Sequence, residues 1–349
     1  MSFARISRVV FTFGVAALLG LLAVPARAVT IDWVTVGDPG NAYDTINTGT
    51  NPNYGAVADS FQIMKFEFTN QQYTDFLNSV DPNGTNPNSV YSESGQGGTT
   101  RGGITNTGTT NGSRYAVKPD MGDKPVNFVN WFDAARVSNW LMNGATGTSS
   151  METGAYTLNN ATSGNAPAVN PGATFYIPTE NQWYKAAYYK GGSTNAGYWT
   201  YATQSDTVPT AVTAGLTGSG SSGSTGNYAN YGRAAGWNGQ NGNVTTVGTN
   251  GGASAYGAFD MSGNVNEWND LDGLASSGSS RGLRAGSWFD AASTLSSPIR
   301  SSINPSSEFV YYGLRLASPV PVPEPSTWVM GLAGIACGGF SMWRRRKQA

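Results

Sequence analysis

Residues 257–268 read G-A-F-D-M-S-G-N-V-N-E-W, and this dozen limits the fold more than any other stretch of the chain. Asp260, Gly263, Val265 and Glu267 follow the spacing D-x-x-G-x-V-x-E, so two carboxylates bracket two backbone carbonyls in a run too short for a helix to finish. Hard cations such as calcium take this mixture of oxygens. The same residues also make a tight turn without an ion: Asp260 caps backbone N–H groups, Gly263 supplies a positive φ, and Trp268 fills a core. The spacing alone leaves both readings open.

Composition narrows the chemistry. None of the 349 residues is histidine, which removes histidine general bases, Ser-His-Asp and Cys-His pairs and every histidine-containing metal site. The single cysteine, Cys337, lies in a C-terminal apolar run and leaves no thiol for the body of the protein. Forty-six glycines and 12% charged residues point to a loop-rich fold with aromatic anchors and not to a helical bundle. Residues 29–318 carry 13 basic against 20 acidic side chains, so the body has no basic footprint for nucleic acid.

Residues 1–28 place Arg5 and Arg8 before an apolar run and end in Ala26-Arg27-Ala28, the pattern of a secretory signal peptide. Alternation predicts strands at residues 31–36 and 61–68. Thr69 with Gln72 is a capping box that opens an amphipathic helix through Tyr73, Phe76, Leu77 and Val80. Asn130 caps a second helix with Asp133 in its first turn, and Thr179 with Gln182 opens a third around Trp183. Residues 83–114 and 191–226 are rich in Gly, Ser, Thr and Asn and read as surface insertions. Tyr and Trp residues around 190–237 are candidates for stacking on sugar rings, although residues of this kind more often fill a core.

Residues 319–349 form a separate device. Val322-Pro323-Glu324-Pro325 precedes an apolar, Gly-rich span over residues 328–343, and Arg344-Arg345-Arg346-Lys347 follows it. The span predicts a C-terminal membrane helix with its basic end on the cytoplasmic side. This three-part tail resembles the PEP-CTERM sorting signal of Gram-negative bacteria. The resemblance implies export, transient anchoring in the inner membrane, an exosortase-type processing enzyme as partner, and delivery to the cell envelope, the surface or an exopolysaccharide matrix.

Five blocks in order resemble the formylglycine-generating enzyme family, also called the sulfatase-modifying factor family. They are Phe66-Glu67-Phe68-Thr69-Asn70 with Tyr73 and Phe76, residues 125–141, residues 177–187, residues 257–268, and Arg284 to Trp288 with Gly313-Leu314-Arg315. The resemblance implies an α+β variant of the C-type-lectin fold, low in regular structure, with short helices, antiparallel strands and structural calcium. It assigns one calcium to Asp260, Glu267 and the carbonyls of Gly263 and Val265. A second would use Asn230 and the Tyr231 carbonyl, its acidic ligand having no match in residues 236–250.

The resemblance fails at the chemistry. Family oxidases hold copper on two cysteines just after the R-x-G-S-aromatic block, because thiolates bind soft Cu(I) and exchange with a substrate thiol. In this register those positions are Asp290 and about Leu295, so copper is not expected. The residues therefore predict an exported, calcium-stabilised binding or structural module whose partners are polysaccharide or surface proteins. The alternative is a family enzyme with a different centre near Asp290, Ser287 and Arg284.

Overall fold

Each α-helix begins where a side chain replaces a missing backbone acceptor. In the computed structural model, which describes residues 29–46, 53–271 and 280–320, Thr69 accepts from the Gln72 N–H while the Gln72 side chain accepts from the Thr69 N–H. This closes the start of α1, Asn70–Val80. Asn130 and Asp133 make the same reciprocal pair at α2, Trp131–Met142, and Thr179 with Gln182 does so at α3, Glu180–Tyr188. All three helices start where the sequence places them. The signal segment, the C-terminal membrane span and Cys337 lie outside the described residues. Among the described residues no helix is long and apolar enough to cross a membrane.

The strands are short, as expected for a Gly-rich chain. They are β1 Trp33–Val36, β2 Phe61–Met64, β3 Ile104–Asn106, β4 Tyr115–Val117, β5 Thr210–Ala211, β6 Tyr228–Ala229, β7 Asn266–Asn269, β8 Arg281–Arg284, β9 Ser301–Ile303, β10 Tyr312–Gly313 and β11 Ala317–Pro319. A three-stranded antiparallel sheet runs β1-β2-β11, and a four-stranded sheet runs β10-β7-β8-β9 with β10 parallel to β7. In the second sheet Glu267 stands opposite Arg284 on one side and Gly313 on the other. β2 ends at Met64, short of the eight-residue alternation. Beyond it the buried Glu67 accepts hydrogen bonds from the Val265 N–H and the Asn264 amide, which a continuing ladder would not supply.

The main core joins α1 and α2 to Trp268, Leu283, Leu314 and Leu316, and a second cluster packs α3 on β2 through Trp183, Tyr184 and Met261. Trp268 is fully buried, donates its indole N–H to the Val129 carbonyl at 3.0 Å, and meets Tyr312 edge-on at 5.6 Å. One expectation fails here. Residues 83–114 are not a surface excursion, because Val90, Tyr91 and Ile104 are buried in the main core and Gln96 is buried with its amide on the Asn127 carbonyl. Three apolar anchors in a polar segment are enough to draw it in.

The start of α2 stores a pH dependence. Asp133 is buried and accepts from the Asn130 N–H, and Glu308 accepts from the Asn130 amide beside it. Burial, and then the Glu308 charge, push the Asp133 carboxyl well above its usual range, while burial also raises Glu308. A raised native pKa gives stability that is complete below the unfolded-state pKa and is lost as pH rises through the native one. Glu308→Gln keeps an acceptor for Asn130 and removes the repulsion. Thermal unfolding from about pH 4 to pH 8 is expected to show a higher Tm for the variant at the neutral end and a flatter profile.

Candidate functional site

The turn at residues 257–268 is built around a buried ion pair. Glu267 on β7 receives the Arg315 guanidinium through Nη2 to Oε1 at 2.8 Å and Nε to Oε2 at 2.9 Å, and both side chains are fully buried. The Trp183 indole of α3 donates to the same carboxylate at 2.7 Å. Arg315 spends its other protons on the Met64 carbonyl at the end of β2 and on the Phe259 carbonyl at the mouth of the turn. One arginine thus ties both sheets to the turn, with α3 held through the shared carboxylate. The sequence blocks containing these residues were readable, but their convergence was not.

The expected calcium residues are placed as follows. Asp260 sits in the left-handed region and accepts from the Gly248 N–H at 2.5 Å and the Asn250 amide at 2.9 Å, each on a different oxygen. Gly263 has φ +96, and a Cβ there would run into the Asn230 carbonyl, so the position needs glycine on two counts. The Asn230 amide donates to Asn243, Thr245 and Asn264, while its Oδ1 is buried without a hydrogen-bond partner. The Tyr231 hydroxyl is used on the Pro209 carbonyl. Among the described residues no group of three or more His, Cys, Asp or Glu is arranged to hold a metal.

Two features of this region suit a cation. Three buried carboxylates, Glu67, Asp260 and Glu267, face one guanidinium. Burial first, then Asp260 and Glu267, raises the Glu67 carboxyl well above its usual range, and burial raises Asp260 against the hydrogen bonds from Gly248 and Asn250. The orphaned Asn230 Oδ1 is an acceptor awaiting a donor or a metal. Against this, the Glu267 oxygens are already engaged by Arg315 and Trp183. The donor set fits a hard ion at Asp260 and Asn230 more readily than at Glu267.

A cavity of about 190 Å³ opens beside β7 and β8, lined by Asn266, Arg284, Asp290, Arg300, Tyr311 and Tyr312 among others. Asp290 Oδ2 accepts from Ser287 Oγ at 2.7 Å and Asn266 Nδ2 at 3.0 Å. Burial, then the Tyr311 and Asp290 charges, push the Tyr312 hydroxyl up to about 12. On the opposite wall the buried Glu180 takes Nε of Arg284 at 2.8 Å and both Nε and Nη2 of Arg300 at 2.8 and 2.7 Å. Arg284 also lies 4.7 and 4.8 Å from the ring centres of Tyr54 and Tyr184. Of the three residues expected in the cleft, Arg284 and Asp290 line it, and Ser287 is buried behind Asp290.

The sulfatase-modifying factor enzyme 1-like domain model matches residues 24–320, and the PEP-CTERM protein-sorting motif matches residues 321–347. The chain belongs to the sulfatase-modifying factor family. Its fold is similar to that of CarF (22% identity, TM-score 0.50, covering 83% of this chain and 99% of CarF). Treponema denticola variable protein 1 (21%, 0.49, 84% and 97%) and PvdO from Pseudomonas aeruginosa (18%, 0.42, 83% and 92%) are also similar. No curated protein matches the sequence. In the family register the first cysteine position, Asp290, opens on the cavity. Leu295, near which the second is expected, is fully buried, with its carbonyl taking the Tyr188 and Ser262 hydroxyls.

Several residues of this site escaped the sequence reading. Phe289 and Phe309, 40% and 46% exposed, stack on either side of Tyr311 with centroids 5.5 and 5.6 Å away, and Arg233 covers Phe289 at 4.1 Å. Of the aromatics expected at residues 190–237, Tyr201 and Trp237 are buried, Tyr198, Trp199 and Tyr231 are half-buried, and Tyr228 is exposed. The only signal for the real cluster was the density of aromatics in F-V-Y-Y beside the R-x-G-S-W-F block.

The Arg315 tie gives a sharp expectation. Arg315→Met leaves Glu267 buried beside two further carboxylates and should cost about 3–5 kcal/mol in denaturant unfolding. Adding Glu267→Leu to Arg315→Met removes the stranded charge and should recover much of the loss, as an additive pair of defects would not.

Proposed function

We propose that this chain is an exported, surface- or matrix-directed member of its family that works as a calcium-stabilised binding or structural module without copper–thiol chemistry. One observation carries the reading: the cysteine positions hold Asp290 and Leu295, and no histidine exists to replace them. A carboxylate cannot exchange with a substrate thiol, and a buried leucine ligates nothing. What remains at the old reaction site is a polar cavity on a rigid frame, which suits recognition. The protein loaded with copper and given a thiol-containing peptide is expected to consume no oxygen above the copper-only control. Turnover, lost on Asp290→Ala, would instead establish an enzyme with its centre at Asp290.

Calcium would be held by Asp260 and Asn230, with the carbonyls of Gly263, Val265 and Tyr231 as the other expected oxygen donors and Glu267 left on Arg315 and Trp183. It would supply charge neutralisation to the surplus of buried carboxylates and a partner for Asn230 Oδ1. Calcium at about 100 times its Kd should stabilise the protein by about 2.7 kcal/mol, seen as a raised Tm that EDTA reverses. Asn230→Ala should shrink this shift. A Tm indifferent to calcium and EDTA removes the ion from the reading and leaves the loss of thiol chemistry standing.

The tail completes the proposal. An exosortase-type enzyme would process the PEP-CTERM segment after transient anchoring in the inner membrane, delivering the module to the envelope, surface or extracellular matrix of a Gram-negative cell. Polysaccharide or surface proteins would be its partners there.

A further inference from the structure

We infer that the cavity beside Asp290 binds a neutral sugar unit of an oligosaccharide, with the Phe289–Tyr311–Phe309 stack as its apolar rim. The inference rests on the binding role proposed above and names its ligand class. Three properties of the cavity decide that class.

Size comes first. At about 190 Å³ the cavity has room for one ring-sized unit of a ligand, such as one pyranose, with the rest of the ligand lying outside it. The second property is charge. Arg284 and Arg300 line the cavity with their guanidinium groups paired to Glu180, which is buried behind them, and Asp290 lines it too, so the two arginines and two carboxylates carry no net charge and favour neither a phosphate nor an ammonium group.

The third property is the arrangement of unused polar atoms. Asp290 Oδ1, the Tyr311 and Tyr312 hydroxyls and Arg300 Nη1 take no hydrogen bond among the described residues, although their residues line the cavity. The lining therefore offers both acceptors and donors, the mixture that sugar hydroxyls satisfy, since each hydroxyl both gives and takes. Asn266 and Ser287 hold Asp290 in place through its other oxygen, so the free oxygen is already oriented. Ring orientation is fixed as well: Tyr311 is clamped between two phenylalanines and Tyr312 meets Trp268, Phe309 and Tyr311 edge-on. Phe289, Ile299 and Phe309 account for three of the eight large exposed apolar side chains among the described residues, and Ile299 lines the cavity itself. Their apolar surface suits the C–H faces of sugar rings that continue beyond the cavity.

The test is a calorimetric titration of the full chain with neutral gluco-, galacto-, manno- and xylo-oligosaccharides, with uronic-acid oligomers and a mixed peptide library run in parallel. A neutral oligosaccharide should bind. Asp290→Ala should weaken it about tenfold or more, the loss of hydrogen bonds to a charged acceptor. Ser301→Trp adds bulk at the exposed start of edge strand β9, where it lines the cavity, and should abolish binding without removing a cavity hydrogen bond. Leu216→Ser, at a 99% exposed position outside the lining, should change nothing. Near-UV circular dichroism keeps misfolding apart from lost binding. Failure of every neutral sugar to bind, or binding undiminished in Ser301→Trp, overturns the inference. If peptides or uronic acids bind and Ser301→Trp abolishes that, the sugar class falls while the binding role of the cavity stands. If nothing binds, both fall.

Discussion

The fold depends on one buried arginine. Arg315 is shut away from water beside Glu267 and donates to carbonyls at the end of β2 and in the 257–268 turn, so one guanidinium holds together elements that share little backbone pairing. A buried ion pair is weak evidence for net stability, because desolvation offsets much of the attraction. Its value here is in directing the fold. With strands of two to four residues, ladder hydrogen bonds alone set register poorly, and a planar donor fork that fits one arrangement of carboxylate and carbonyls supplies the missing constraint.

A second charged node repeats the device. Glu180 opens α3 and receives two arginines, Arg284 from β8 and Arg300 from just before β9, while Tyr54 and Tyr184 flank the guanidinium of Arg284. The two nodes meet on one face of α3, where Trp183 reaches Glu267 and Glu180, three residues earlier, reaches Arg284, the cross-strand neighbour of Glu267. Together they explain how a chain with few charges builds rigid walls out of loops: Glu267, Arg315, Glu180 and Arg284 are all buried in these two networks. The cavity inherits that rigidity. Arg284, which lines it, is held by the same Glu180 contact that ties β8 to α3.

Much of this was legible in the chain. Capping boxes announce helices locally, since Thr69, Asn130 and Thr179 each need only a partner three residues on, and all three appear as expected. The glycine at residue 263 was readable for the same reason. Burial of polar-looking segments was not. Residues 83–114 carry Val90, Tyr91 and Ile104 into the core, and the loops around 190–237 turn Tyr201 and Trp237 inward. Composition averages over a segment, whereas a core takes individual side chains.

The sequence by itself determined the family, the sorting segment and the helix starts, because each depends on residue identity or on spacing within one stretch. Only the tertiary structure decided what surrounds each carboxylate. Asp260 meets Gly248 and Asn250, Glu267 meets Arg315 and Trp183, and Asp290 keeps one oxygen free toward a cavity. Those partners lie up to 84 residues apart in the chain. Whether a carboxylate serves as a strut or as part of a binding wall is set by the groups that replace its water, and no local pattern encodes them.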